Sequence, residues 1–490
     1  TGKSGKMSLK LAVAADLHYQ KTANWKHPER KGEYAYFFLH RFVKMLMITG
    51  WPDAVLIGGD LIDPAGACDH AAFGRLQEIA ELLKKIPVPV LVLPGNHDPA
   101  PEMFYQVFPQ PPDYLEIGNA RILPFWADPE RPGYNSERLP QELERFDRAR
   151  RNFSGNLVAF QHVPVLPSGA DCPYNYVNHD AVIRKMHETG CVLSVGAHCH
   201  RGVPQFSDGK CTYVTVPALC ESPFRYAIIE LGDDGTVRTE VESFRLPGGF
   251  EWFDCHTHTP FAYCSENMDI GIEADLMDQL NLTGAVITEH SGQLYYTNRD
   301  FWGHRWFDEG LDSPAVQPRM KLFRQYVTTA DPRFRVSFEV DVSRAGEPVL
   351  EPEILKSLPF KIGATHYIDQ GLSAEESGLQ LLSLIEAHGK AGINVLAHPT
   401  RILAARGFDE EPWFDRIIAV LKQYNMAAEV NFHQNSANPE FTRRAIEAGL
   451  KLSFGTDSHN LANFGFLQPH IWLLRKIGYN GDFADILVKP

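Results

Sequence analysis

Short apolar runs recur through the first half of the chain, and each one stops on a polar side chain able to bind metal. In Leu91–Asp98 (LVLPGNHD) the run breaks at Pro94-Gly95 and delivers Asn96, His97 and Asp98. LKLAVAADLH ends on Asp16 and His18, DAVLIGGD on Asp60, LVAFQH on His162, and LSVGAHCH on His198 and His200. A strand that ends in a turn of such residues is how a layered α/β scaffold presents chemistry. Five of these runs in one half of the chain point to a metal site.

The pattern between the runs predicts the elements. Strand-like Leu9–Ala15 is followed by an amphipathic stretch over Tyr36–Ile48. Then come the strand Ala54–Gly58, a helix around Ala71–Lys85 and the strand Val88–Leu93. This β-α-β-α-β order predicts a layered sheet with helical cover. A second set runs through Leu157–Gln161, a helix near Ala181–Thr189 and Val192–Gly196. Thr212–Val216, Tyr226–Glu230 and Thr236–Phe244 then read as a β meander that turns at Gly235.

Leu246-Pro247-Gly248-Gly249 punctuates the chain and sets the expected division into domains 7–246 and 251–490. Beyond it a second alternation begins. Its strands are expected at Phe253–His256, Ala285–Thr288, Phe334–Val340, Ile362–His366, Asn394–His398, Ala427–Phe432 and Leu452–Gly455. Helices are expected between them, among others at Ala374–His388, Pro412–Tyr424 and Pro439–Ala448. Seven strand-helix steps predict a barrel of βα units with its site on the C-terminal rim. Ser291–Pro318 lacks a period and is rich in aromatics; it reads as a lid or substrate-contact loop, or equally as a packed surface loop.

Composition narrows the picture. A chain of 490 residues exceeds what one core usually supports, so at least two domains are expected. Its 44% hydrophobic and 22% charged residues are those of an ordinary globular protein. No run is long enough for a membrane span, and none has signal-peptide form. The opening TGKSGK reads as a remnant ahead of Met7, and its Gly-Lys-Ser lacks the upstream glycine of a phosphate-binding loop. A net charge of −14 argues against a duplex-coating protein, though bound divalent metals would invert the local field. Eight cysteines without a CxxC pair read as reduced thiols and predict a cytoplasmic protein.

The order Asp16-x-His18, Gly59-Asp60, Gly95-Asn96-His97-Asp98, Gln161-His162, His198-x-His200 resembles the calcineurin-like metallophosphoesterases over residues 9–246. One departure is Ala197 before the paired histidines, where that family usually has glycine. The resemblance implies a β-sandwich flanked by helices that holds two divalent metals. Asp16, His18 and His200 would hold one and Asn96, His162 and His198 the other, with Asp60 bridging. His97 would steady the phosphate or protonate the leaving oxygen while metal-activated water attacks phosphorus in line. Oxygen and imidazole ligands suit Mn, Fe or Zn alike. Asp98 reads as a cap or as a support for His97, and Cys199 as a core thiol.

In the second half, Asp254-Cys-His256-Thr-His258, Thr288-Glu289-His290, Glu339, His366, His398 and Gly455-Thr-Asp457-Ser-His459 resemble the PHP (polymerase and histidinol phosphatase) family over residues 251–490. The implied fold is a distorted (βα)7-type barrel. The resemblance assigns His256, His258, Glu339 and Asp457 to one metal, with Glu339 bridging to a second held by His366 and His398. A third would use His290 and His459, but Cys264 falls where related chains carry His or Asp, which leaves two or three metals in this half. Asp254 and Glu289 read as carboxylates that orient imidazoles. Glu429 and Asn431 read as facing substrate, or as a salt-bridged rim.

Together these resemblances imply a bifunctional metal-dependent phosphoesterase with Asp60, His97 and Glu339 as catalytic residues. Its expected substrates are small phosphodiesters and phosphomonoesters of nucleotide or other organic type. One alternative is an exonuclease acting on DNA or RNA ends, beside an SMC-like ATPase that nothing in the sequence names. A different alternative makes one half a catalytically silent module that binds a phosphorylated ligand.

Overall fold

The computed structural model describes residues 8–63, 70–314, 319–434 and 437–490; the TGKSGK opening and the end of the Ser291–Pro318 segment lie outside them. The chain divides into two compact units, Thr1–Arg245 and Leu246–Pro490. No helix among the described residues is long and apolar enough to cross a membrane.

In the first unit two sheets face each other. One has the strand order Val237–Ser243, Arg225–Gly232, Ser8–Ala14, Ala54–Ile57, Val90–Val92. The other runs Val203–Ser207, Thr212–Thr215, Cys191–Gly196, Asn156–Gln161, Ala120–Phe125, Leu115–Ile117. Alternate residues of both sheets, such as Leu11, Val13 and Leu56 against Ile122, Phe160 and Val195, are buried in one core. On the outer face of the second sheet, Phe125, Leu157 and Ala159 pack with Phe146 and Val182 from the helices Pro140–Arg150 and His179–Thr189.

The expected meander is corrected here. Thr212–Thr215 lies in the second sheet, parallel to Cys191–Gly196 and antiparallel to Val203–Ser207. Only Arg225–Gly232 and Val237–Ser243 form the hairpin, with Leu231 opposite Val237. Periodicity identifies a strand but carries no information about which sheet receives it.

The second unit is a sheet of seven parallel strands in chain order: Phe253–Thr257, Gly284–His290, Phe334–Val340, Ile362–Gly363, Val395–Leu396, Ala427–Val430 and Leu452–Phe454. A parallel bridge between Thr257 and Ser458 brings the last strand round to the first, so the sheet is a nearly closed barrel. Helices fill the steps between strands; Ala374–Lys390 starts on a capping box of Ser373 with Glu376. Four of these strands are shorter than the sequence predicts, Ile362–Gly363 and Val395–Leu396 the most. The chain leaves the sheet at Gly363 and Leu396, so His366 and His398 sit on loops beyond the strand ends.

The aperiodic segment folds into short helices at Ser291–Tyr295, Asn298–Trp302 and Arg305–Glu309. Its Tyr295, Tyr296, Phe301, Trp306 and Phe307 are buried, as a packed loop requires, while Trp302 stays exposed.

Candidate metal centres

In the first unit the strand ends carry their polar residues to one point. His18 Nε2 lies 3.1 Å from His200 Nε2 and 3.6 Å from Asp60 Oδ2. On the other side of that carboxylate, His162 Nε2 lies 3.5 Å from Asp60 Oδ2, 3.2 Å from Asn96 Oδ1 and 3.1 Å from His198 Nδ1. Asp16 Oδ2 accepts the His198 backbone N–H at 3.1 Å, whereas its Oδ1 is buried without a hydrogen-bond partner. Asp16, His18, Asp60 and His198 all have positive φ, between 46° and 64°, a backbone region that non-glycine residues rarely adopt and that concentrates at functional sites.

The outward ring nitrogens decide what the inward ones can do. His18 Nδ1 faces Asp63 Oδ1 at 2.7 Å, His200 Nδ1 faces Glu221 Oε1 at 2.5 Å, and His162 Nδ1 faces the Gly58 carbonyl at 2.7 Å. Each of these outward partners only accepts, so the ring proton belongs there and the inward nitrogen presents a lone pair. Lone pairs about 3 Å apart beside carboxylate oxygens repel unless a cation lies between them. This donor set fits the metals that the sequence implies.

Asp98 has a more specific role than a cap. It accepts the backbone N–H groups of Leu61, Ile62 and Gly95, tying the Asp60 loop to the Asn96 loop. The His97 backbone N–H donates to Asp60 Oδ1 at 2.8 Å, and the His97 ring meets the His18 ring edge-on at 4.6 Å. Cys199 is buried and directed at the Gly202 carbonyl.

The second unit repeats the arrangement around Glu339. Its Oε1 lies 3.0 Å from His398 Nε2, 3.2 Å from His366 Nε2 and 3.5 Å from His256 Nε2. Its Oε2 lies 2.6 Å from His290 Nδ1 and 3.8 Å from His258 Nε2. His256 Nε2 and His258 Nε2 are 3.1 Å apart, and Asp457 Oδ1 is 3.1 Å from the latter. His290 Nε2 faces His459 Nε2 at 3.2 Å, with Cys264 Sγ 3.6 Å from His290. Acceptors again hold the outward nitrogens: Glu429 that of His256 at 2.8 Å, Asp341 that of His366 at 2.7 Å, and the Asp457 carbonyl that of His459 at 2.9 Å.

Residues 9–202 match the family described as calcineurin-like phosphoesterase. The first unit carries a calcineurin-like metallophosphoesterase domain. This domain makes the chain a metal-dependent phosphoric ester hydrolase. No curated protein matches the chain. Among solved structures, a dimetal phosphatase from Danio rerio is 16% identical, with a TM-score of 0.38 over 48% of this chain and 98% of that one. TT1561 of Thermus thermophilus is 15% identical, with a TM-score of 0.32 over 48% and 99% of the two chains. Vps29 of Chaetomium thermophilum is 13% identical, with a TM-score of 0.23 over 48% and 96%.

Electrostatics in the metallophosphoesterase domain agree with its geometry. Burial pushes the Asp60 carboxyl up, but the imidazoles of His162, His18 and His97 outweigh it and hold the group well below the usual carboxylate range. Burial lowers His162, yet Asp60 beside it brings the ring up to about 9, so with no cation present the inward nitrogen takes a proton in the cation's place. Burial lowers His198 to about 3. The cluster therefore calls for positive charge next to Asp60, the position a divalent cation would fill. Around Glu339 the same opposition holds: burial raises the carboxyl, and His366 and His256 bring it far down.

Several supporting residues escaped the sequence reading. Asp63 and Glu221 hold His18 and His200, and Asp341 holds His366. Asp341 was legible in principle, because it lies two residues after Glu339, just past the end of the strand Phe334–Val340. Arg401 Nη1 donates to Asp457 Oδ2 at 2.8 Å and was not anticipated. Of the two readings of Glu429, the ion-paired one describes its contacts: it accepts from His256 and from the His398 backbone N–H at 2.8 Å. One expectation is corrected. Asp254 orients no imidazole; it receives the Thr456 and Gly465 backbone N–H groups and shapes the 455–459 loop. Glu289 accepts from Thr259 and faces His258 Nδ1 at 3.6 Å.

Proposed function

We propose that the chain is a phosphoesterase with two metal-dependent sites, one in a metallophosphoesterase domain over residues 7–246 and one in a PHP-type barrel over residues 251–490. One observation supports this reading above the others: in each unit, imidazole lone pairs converge on a single buried carboxylate, Asp60 or Glu339. Bound there, divalent ions such as Mn, Fe or Zn would supply Lewis acidity and an activated water. Asp16, His18, His200, Asn96, His162 and His198 would hold two ions about Asp60. His256, His258, His366, His398 and Asp457 would hold two about Glu339, with His290, His459 and Cys264 placed for a third.

The protein's own groups position the ester. His97 stands beside His18 with its Nδ1 3.4 Å from Asp63 Oδ1, which orients the ring to place a proton on the leaving oxygen. In the second unit, a cavity of about 350 Å³ borders His290, His366, His398 and His459 on one side and Phe301, Trp302 and Ile402 on the other. That volume is of the size that holds one small organic phosphate. A diesterase in one unit and a monoesterase in the other would divide the work on a single diester.

Full-length protein loaded with Mn should hydrolyse bis-p-nitrophenyl phosphate and p-nitrophenyl phosphate. His97→Ala should abolish the first activity and His258→Ala the second, each by at least about 10²-fold. Both activities surviving both substitutions would refute the assignment. Elemental analysis separates this reading from a silent second unit: about four or five metals per chain support it, and about two would leave one unit without chemistry.

A further inference from the structure

The loop between the first strand and the first helix of the metallophosphoesterase domain is locally basic within this acidic chain. Asn24–Lys31 (NWKHPERK) carries Lys26, Arg30 and Lys31 against the single acid Glu29, in a chain of net charge −14. At its tip Trp25 is 83% exposed. It is the most exposed of the large hydrophobic side chains among the described residues. Lys26 Nζ lies over the indole ring at 5.2 Å from its centroid, so an aromatic face and an ammonium are presented together.

The loop is fastened at both ends to the residues that orient one pair of imidazoles. Asn24 Nδ2 donates to Asp63 Oδ2 at 2.8 Å, while Asn24 Oδ1 accepts the backbone N–H groups of Lys26 and His27. Asp63 in turn holds His18. At the other end Arg30 forms an antiparallel backbone bridge with Glu221, whose side chain holds His200, and the Lys31 N–H donates to the Cys220 carbonyl at 2.8 Å. Trp25 is therefore one residue away from an anchor that touches the partner of a candidate metal ligand. Arg30 Nη1 is 3.6 Å from Asp63 Oδ1, but its Nε is buried with no hydrogen-bond partner. A guanidinium left partly unsatisfied beside a phosphoesterase centre is suited to an anionic oxygen.

We propose that this loop recognises the nucleoside portion of a nucleotide-bearing phosphodiester, with the base stacked on Trp25 and Lys26 and Arg30 drawing the phosphate toward the metals. The proposal rests on the hydrolytic reading of the first unit and adds a substrate class to it. Stacking on an exposed indole accepts any base, so the loop selects for the presence of a base and not for its identity. Charge complementarity favours this ligand over an uncharged aromatic one.

The test uses full-length, Mn-loaded protein with His258→Ala as background, so that turnover reports the first unit. Thymidine 5′-p-nitrophenyl phosphate and methyl p-nitrophenyl phosphate share a leaving group and differ in the nucleoside. The kcat/KM ratio between them should favour the thymidine ester and fall about tenfold in Trp25→Ala, mostly through KM, with Trp25→Phe restoring most of it. Calorimetric titration with thymidine 5′-monophosphate should show a matching loss of affinity in Trp25→Ala, whether or not turnover is seen. Methyl ester hydrolysis with no preference for the nucleoside, or a ratio and an affinity unmoved by Trp25→Ala, overturns the loop's role and leaves the hydrolytic site standing. Nucleotide binding that depends on Trp25 without hydrolysis of either ester supports the loop and overturns the hydrolytic reading.

Discussion

At the scale of single residues, the groups that grip each imidazole from outside matter as much as the imidazoles. Glu221 is half-buried, and its Oε1 lies 2.5 Å from His200 Nδ1, fixing both tautomer and ring orientation. Glu221→Ala should weaken Mn binding in the first unit about 10–100-fold, read by competition with a chelator of known affinity. His40 tests a titration far from the ligands. Burial, with help from Lys44, lowers its pKa to about 4, against about 6.5 in an unfolded chain. Between those values the unfolded state binds the extra proton. Stability from the neutral ring is thus complete above about pH 6.5 and is lost as pH falls toward about 4. The loss should be about 1–2 kcal/mol after allowing for partial exposure, and urea titrations of His40→Leu should show a correspondingly flatter pH profile than the parent chain. Residues of the first kind were hard to read from sequence. A strand-end histidine announces itself by position, but Glu221 is remote in the chain from the ring it holds, and no local periodicity encodes that pairing.

At the scale of elements, most strands and helices followed from periodicity because each buries one face. Phe334–Val340 matches its sequence-predicted limits. Four of the misses have a physical cause. Leu115–Ile117 and Val203–Ser207 are short strands at the sheet edge with little burial, so their residues alternate weakly. Ile362–Gly363 and Val395–Leu396 were overextended because apolar loop residues continue the pattern past the last ladder bond. Helix packing in the barrel supplies a prediction opposed to helix propensity. Gly378 and Gly389 lie on one face of Ala374–Lys390 and receive Trp413 and Tyr424. A Cβ at Gly378 would collide with the Trp413 ring, and one at Gly389 with the ring of Tyr424. Alanine at either position gains at most about 1 kcal/mol of propensity, whereas overpacking costs about 1–3 kcal/mol. Each substitution should therefore lower the thermal midpoint; a rise would show that the rings yield easily.

At the scale of the whole molecule, each unit has its own core and its own cluster of candidate metal-binding residues, and the Leu246–Gly249 punctuation falls at the junction between Arg245 and Leu246. The left-handed backbone of Asp16, His18, Asp60, His198, His398 and Asp457 spans both units. Each such residue costs about 1–3 kcal/mol relative to a relaxed conformation. Glycine adopts that conformation freely, and at position 16 it would also remove a buried carboxylate oxygen that lacks a partner, which outweighs the loss of the His198 N–H bond to the other oxygen. Asp16→Gly should accordingly raise the melting temperature of chelator-treated protein by about 2–4 °C, while forfeiting most of the further rise expected of the parent chain when Mn is added. A screen for heat resistance run without added metal would therefore enrich for enzymatically dead variants. Durability and competence pull this chain in opposite directions, and the cation reconciles them.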